Sequence, residues 1–167
     1  MAATLQFRLT GGASNSDPDA SLGGIMSSNQ LSSTAMNNLF DNVTPTEATS
    51  GDTEYRMIDI YNAGDAAAES VELYMSSATT STDSVIHLGY DATNNSHASG
   101  ADLEELADES TAPASPVITF AERTSASKLS LPDIAVGQAV RVGVKRVISS
   151  SASNTANDTG TIAVEYA

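Results

Sequence analysis

Two histidines, His87 and His97, are the only imidazoles in the chain, and there is no cysteine. Nucleophilic hydrolysis needs a base within hydrogen-bond reach of a serine or threonine. His87 falls in SVIHLGY on the side opposite Ile86 and Leu88, where a solvated or hydrogen-bonded ring is the ordinary outcome, and His97 falls in the polar stretch DATNNSHASG. The chain has no G-x-S-x-G nucleophile elbow. A zinc trio of His87, Asp91 and His97 would have to converge from a strand and a loop. Carboxylates for glycoside hydrolysis are plentiful, but no spacing sets two of them across a cleft. These residues predict a protein that is not an enzyme.

Metal chemistry has one further candidate. Asn15, Asp17 and Asp19 recur at every second position, as oxygen ligands do at the start of a calcium loop. The EF-hand pattern then fails, because Ala20 stands where the turn glycine belongs and Met26 where the closing glutamate belongs. Calcium held by another arrangement of loop carboxylates stays open, against an Asp-Pro turn closed by an Asx hydrogen bond. No other cofactor is expected.

Seven Lys and Arg stand against 21 Asp and Glu, a formal charge of −14 with a sequence pI near 4.1. Such a surface repels phosphate backbones and anionic headgroups, so neither nucleic acid nor a membrane is an expected partner. Without cysteine there is neither a disulfide framework nor a thiolate metal site, and stability must come from packing and pairing. MAATLQFRLTGG lacks a basic start followed by an apolar run, which predicts synthesis in the cytoplasm. Aromatic residues make up 5% of the chain and Trp is absent, leaving few platforms for stacking on sugars.

The elements that would position these groups read as strands. Ala, Ser and Thr supply 66 of 167 residues, a composition suited to tight sheets and turns rather than charged helices. Period-two alternation recurs at Leu5, Phe7 and Leu9; at Ile58 and Ile60; at Val71, Leu73 and Met75; and at Ile86, Leu88 and Tyr90. It returns at Ile118 and Phe120, at Leu129 and Leu131, at Val140, Val142 and Val144, and at Ile162, Val164 and Tyr166. The expected fold is all-β, an antiparallel β-sandwich, Ig-like or jelly roll, of about eight strands. Tyr55 to Met75 reads as its opening hairpin across NAGDAAAE. SGADLEELADES, with Leu103 and Leu106 three apart among acids, reads as one short helix.

One domain is expected at this length, divided into residues 1–53, a first strand plus a long Gly, Ser, Asn and Asp-rich arm, and a body over 54–167. A loop that long is either disordered or functional. Its Leu22, Ile25, Met26, Leu39 and Phe40 argue against plain disorder and are the expected partner contacts. Arg141, Lys145 and Arg146 gather three of seven basic residues in six positions. They form a stripe that pairs either with acids of this chain or with an acidic neighbour in an assembly.

The order of phrases SLGG (Ser21–Gly24), NLFDNV (Asn38–Val43), GDTEYRMIDIYNAGD (Gly51–Asp65) and DESTAPASPVITFAERTSASKLSLPDIAVGQAVRVGVKR (Asp108–Arg146), with a closing strand, resembles virion structural proteins of tailed bacteriophages. It is similar to the small β-sandwich proteins that decorate or cement phage heads. That resemblance implies a location on the capsid exterior and a seat across capsomer seams on the major capsid protein. It also implies further copies of the same chain, a trimer at local threefold positions. An accessory domain of a tail or fibre that binds carbohydrate or the host surface is the alternative.

Overall fold

The structure, a computed structural model, describes residues 2–34 and 37–167. It is an all-β chain. In order, the described residues form β1 (Leu5–Arg8), β2 (Gly23–Ile25), α1 (Pro45–Ser50), β3 (Asp52–Asn62), β4 (Glu72–Ser77), β5 (Ser84–Tyr90), β6 (His97–Ala98), β7 (Asp102–Glu105), β8 (Leu129–Ser130), β9 (Gln138–Ile148) and β10 (Thr161–Glu165). No helix among them is long and apolar enough to cross a membrane.

The frame is the antiparallel pair β3 and β9, matched from Asp52↔Ile148 to Tyr61↔Ala139. β1 extends the far edge of β3, from Leu5↔Asn62 to Arg8↔Asp59. β5 and the short β6 pair with the other edge of β9. A three-stranded sheet runs β10-β4-β8, and β2 pairs with β7. One face of β3 and β9 carries Ile58, Ile60, Val140, Val142 and Val144, all wholly buried, against Val71, Leu73 and Met75 and against Leu129, Leu131 and Ile134. These branched side chains suit a pleated surface, and burying each fully is worth roughly 1.5–3 kcal/mol.

The stretch Tyr55 to Met75 is not a hairpin. Its two halves lie in different sheets, β3 between β1 and β9, β4 between β10 and β8. The apolar residues of β3 and β4 meet across the core instead of side by side. Asn62, wholly buried, turns the chain out of the first sheet. Its Nδ2 donates to the carbonyls of Ala66 (2.8 Å) and Ile134 (2.9 Å), and its Oδ1 accepts from Gly64 N (2.9 Å) and Thr4 N (3.3 Å). The Ile134 carbonyl, which also accepts from Ala68 N at 3.0 Å, is thereby doubly bonded, and the Ala66 carbonyl gains a donor.

The short helix also lies elsewhere. Asp102–Glu105 is extended and pairs with β2, where Gly23 brings the backbones so close that a Cβ would strike the Glu104 carbonyl. The helix is Pro45–Ser50, opened by a capping box in which Thr44 Oγ1 accepts from Glu47 N (3.3 Å) and Glu47 Oε2 accepts from Thr44 N (2.7 Å), with proline in the first turn. Ile118 and Phe120 belong to no strand. Their segment crosses the outer face of the main sheet over the facing pair Gly89↔Gly143. A Cβ at Gly89 would lie 2.6 Å from the Thr119 carbonyl oxygen, and one at Gly143 would lie 2.8 Å from the Phe120 ring. Beside it, Met57, Leu106 and Ile118 form a second core with half-buried Leu22, Tyr55 and Phe120.

Candidate functional site

Three arginines inside the fold hold Gly24, Leu39 and Asp41 of the leader against the sheet. On the outer face of the main sheet, Arg141 from β9 forks onto Asp59 from β3, Nε to Oδ1 at 2.7 Å and Nη2 to Oδ2 at 3.0 Å. The same Nη2 donates to the Gly24 carbonyl at 2.8 Å and so ties β2 to the sheet. His97 of β6 completes the group, its Nε2 3.1 Å from Asp59 Oδ1. Arg141 and Asp59 are buried to 1% and 0% exposure. Arg141 Nη1 is a buried donor with no partner among the described residues.

The inner face carries the second group. Arg56 Nε donates to the Leu39 carbonyl (3.1 Å) and its Nη2 to Glu109 Oε2 (2.6 Å), with Asp19 at 3.5 Å. Arg146 pairs with Glu54 through Nε and donates from Nη1 to the Asp41 carbonyl at 2.7 Å. Both guanidinium groups stack on Phe40, 5.2 Å from Arg56 and 4.8 Å from Arg146. Arg141 and Arg146 each pair with a buried carboxylate, Arg56 pairs with the solvent-accessible Glu109, and each of the three holds a backbone carbonyl of the leader. Burial pushes the Glu54 carboxyl above its ordinary range, a rise that the Arg146 guanidinium opposes.

Oxygens of Asp41, Glu54 and Glu109 lie within 4.8 Å of one another, close enough to share a cation. The Arg56 and Arg146 guanidinium groups bind these same carboxylates. Asn15, Asp17 and Asp19 form a ladder of Asx turns: Asn15 Oδ1 accepts from Asp17 N (2.9 Å), and Asp17 Oδ1 accepts from Asp19 N (3.1 Å). Asn15 Nδ2 closes the loop on the Thr10 carbonyl at 2.6 Å. His87 approaches Glu122 at 3.8 Å, while Asp91 accepts from Thr93 N, Asn94 N and the Asn94 amide. His87, Asp91 and His97 therefore do not converge.

Of the expected partner contacts, Met26, Leu39, Arg141 and Arg146 are buried in this chain's own interior. Leu22, Ile25, Phe40 and Lys145 are half-buried, and Lys145 lies 6.0 Å from the Tyr55 ring. The leader supplies part of the core: Leu39 is in the main cluster, and Leu31 and Phe40 pack on it. Small hydroxyls finish the join, with Thr10 Oγ1 and Ser21 Oγ each donating to the Met57 carbonyl at 2.7 Å.

Glu54, Arg56, Asp59 and Glu109 have no counterpart among the residues singled out from sequence. The signal for the first three is present in EYRMIDI, where charges on both faces interrupt an otherwise apolar strand. A strand buried on both faces tolerates such charges only when each finds a partner. No protein family, curated protein or solved structure matches the chain.

Proposed function

We propose that this chain is a non-enzymatic structural protein of a tailed-phage virion, a decoration or cement protein that sits on the outside of the head and stiffens the shell across capsomer seams. We read its sheets as an antiparallel β-sandwich of the Ig-like or jelly-roll kind. The observation that carries the reading is the internal use of buried charge: Arg56, Arg141 and Arg146 spend their fork geometry on joining leader to sheet. A body sewn together in this way serves as a rigid plate, and the resemblance of its phrase order to phage virion proteins supports the same reading.

Adhesion then falls to what faces outward. Leu22, Ile25, Phe40 and Lys145 keep partial exposure, and Val117 is 78% exposed. A specific seat buries more than about 1,000 Å², and many copies on a lattice add up weak contacts. Co-sedimentation of the purified chain with empty heads tests the proposal. Saturable binding is expected, weakened at least severalfold by Val117→Asp or Lys145→Glu. Heads lacking the chain should also rupture at lower temperature. Absence of binding, together with saturable capture on a glycan array, would instead favour the tail or fibre accessory reading.

A further inference from the structure

A solvent-open cleft of about 210 Å³ lies where β1 meets the 26–28 segment and the end of β6, lined by Arg8, Tyr61, Met26, Ser27, Ser28 and Ser99. Arg8 is set for recognition. Its guanidinium stacks 4.5 Å from the Tyr61 ring centroid, and its Nε (3.2 Å) and Nη2 (2.9 Å) both donate to Gln6 Oε1. Among the described residues Nη1 has no hydrogen-bond partner and Arg8 has no carboxylate partner. Arg123 and Lys145 also lack such a partner, and Arg8 is the basic side chain that lines this cleft. The acid opposite Arg8 in the register is Asp59, and its oxygens are taken by Arg141 and His97.

The rest of the cleft divides into fixed and free hydroxyls. Ser27 Oγ donates to the Asn15 carbonyl (2.6 Å) and accepts from Asn29 N (3.0 Å), which fixes the wall. Ser28 and Ser99 are exposed and form no side-chain hydrogen bond to the described residues, so both hydroxyls are available to a ligand. Buried Met26 adds an apolar patch.

We propose that this cleft binds a small hydroxylated carboxylate, a hexuronic acid. A planar guanidinium held by stacking pairs in register with a carboxylate. One cation balances one negative charge, whereas a phosphate dianion would keep uncompensated charge in the field of a chain at −14. Sites for drug-sized ligands occupy about 300–1,000 Å³, so this smaller space suits one monosaccharide, with its ring hydroxyls on Ser28 and Ser99. The inference is independent of the capsid reading, since a head protein and a free-standing module could each carry such a cleft.

Isothermal titration of the full chain with glucuronate at neutral pH and low salt tests it, with glucose and acetate as controls. One-to-one saturation is expected with a Kd of about 1 mM, from the affinity that so few atoms support. Glucose and acetate should bind at least about tenfold more weakly. Arg8→Gln, and the cleft-filling Ser28→Trp that keeps Arg8, should each weaken glucuronate by about tenfold or more. Ser28→Trp carries the test if Arg8→Gln melts early. No saturation by glucuronate, equal binding of glucose, equal binding of acetate, or unchanged binding in both variants would overturn the proposal.

Discussion

Asp59 and Arg141 show at the level of single residues why charge sits inside this fold. Removing one partner of a buried pair leaves the other uncompensated, at a cost of about 3–5 kcal/mol. Asp59→Asn should therefore lower Tm by about 10 °C in a domain of this size, measured by differential scanning calorimetry. Replacing both partners by apolar residues should recover part of that loss. Glu54 behaves differently, because burial raises its folded pKa above the ordinary value. The native state then holds its proton more tightly than the unfolded chain does. This stabilisation is fully present below the ordinary glutamate range and is lost as pH rises through the raised folded value. Melting curves from pH 4 to 7 should show Glu54→Gln gaining on the parent protein as pH rises, and a pH-independent difference would refute the assignment.

At the scale of elements, the pair Gly89↔Gly143 decides whether the 118–121 segment can cross the main sheet. A methyl at Gly89 meets the backbone oxygen of Thr119, whereas one at Gly143 meets the outer edge of the Phe120 ring. A side chain can swing aside more easily than a backbone carbonyl. Gly89→Ala should cost about 1–3 kcal/mol and speed amide exchange at Ala121, whose N–H donates to the Leu88 carbonyl at 3.2 Å. Gly143→Ala should cost less and chiefly disturb the Tyr55–Phe120 ring pair, now 5.5 Å between centroids. Equal effects of the two substitutions would argue against this account. Strand identity was legible at β1, β3, β4, β5, β9 and β10 because alternation of apolar residues survives in each. It was misleading at Leu103 and Leu106, since two leucines three apart fit a helix edge and also the start of a strand with the residue after it.

For the whole molecule, the consequence is that leader and body fold together. β1 is hydrogen-bonded along Asp59–Asn62 of β3, and the Ser21 carbonyl accepts from Met57 N at 2.8 Å. A chain shortened to residues 54–167 would expose Ile58 and Ile60 and leave Arg56 and Arg146 without their carbonyl and aromatic partners. It should therefore lack a cooperative melt and be cut rapidly by protease. A shortened chain with a sharp transition would show that residues 1–53 are an appendage after all.

Composition and alternation determined the all-β class, because alternation of period two commits each run to a sheet whatever its neighbours are. They also identified the apolar positions of the leader as residues that gain by burial. Only tertiary structure decided what buries them. Which strands become neighbours depends on long-range pairing and on single buried polar groups such as Asn62, which direct the chain from one sheet to another. The destination of an arginine depends on which carboxylate the fold brings within 3 Å of it, and sequence distance does not encode that.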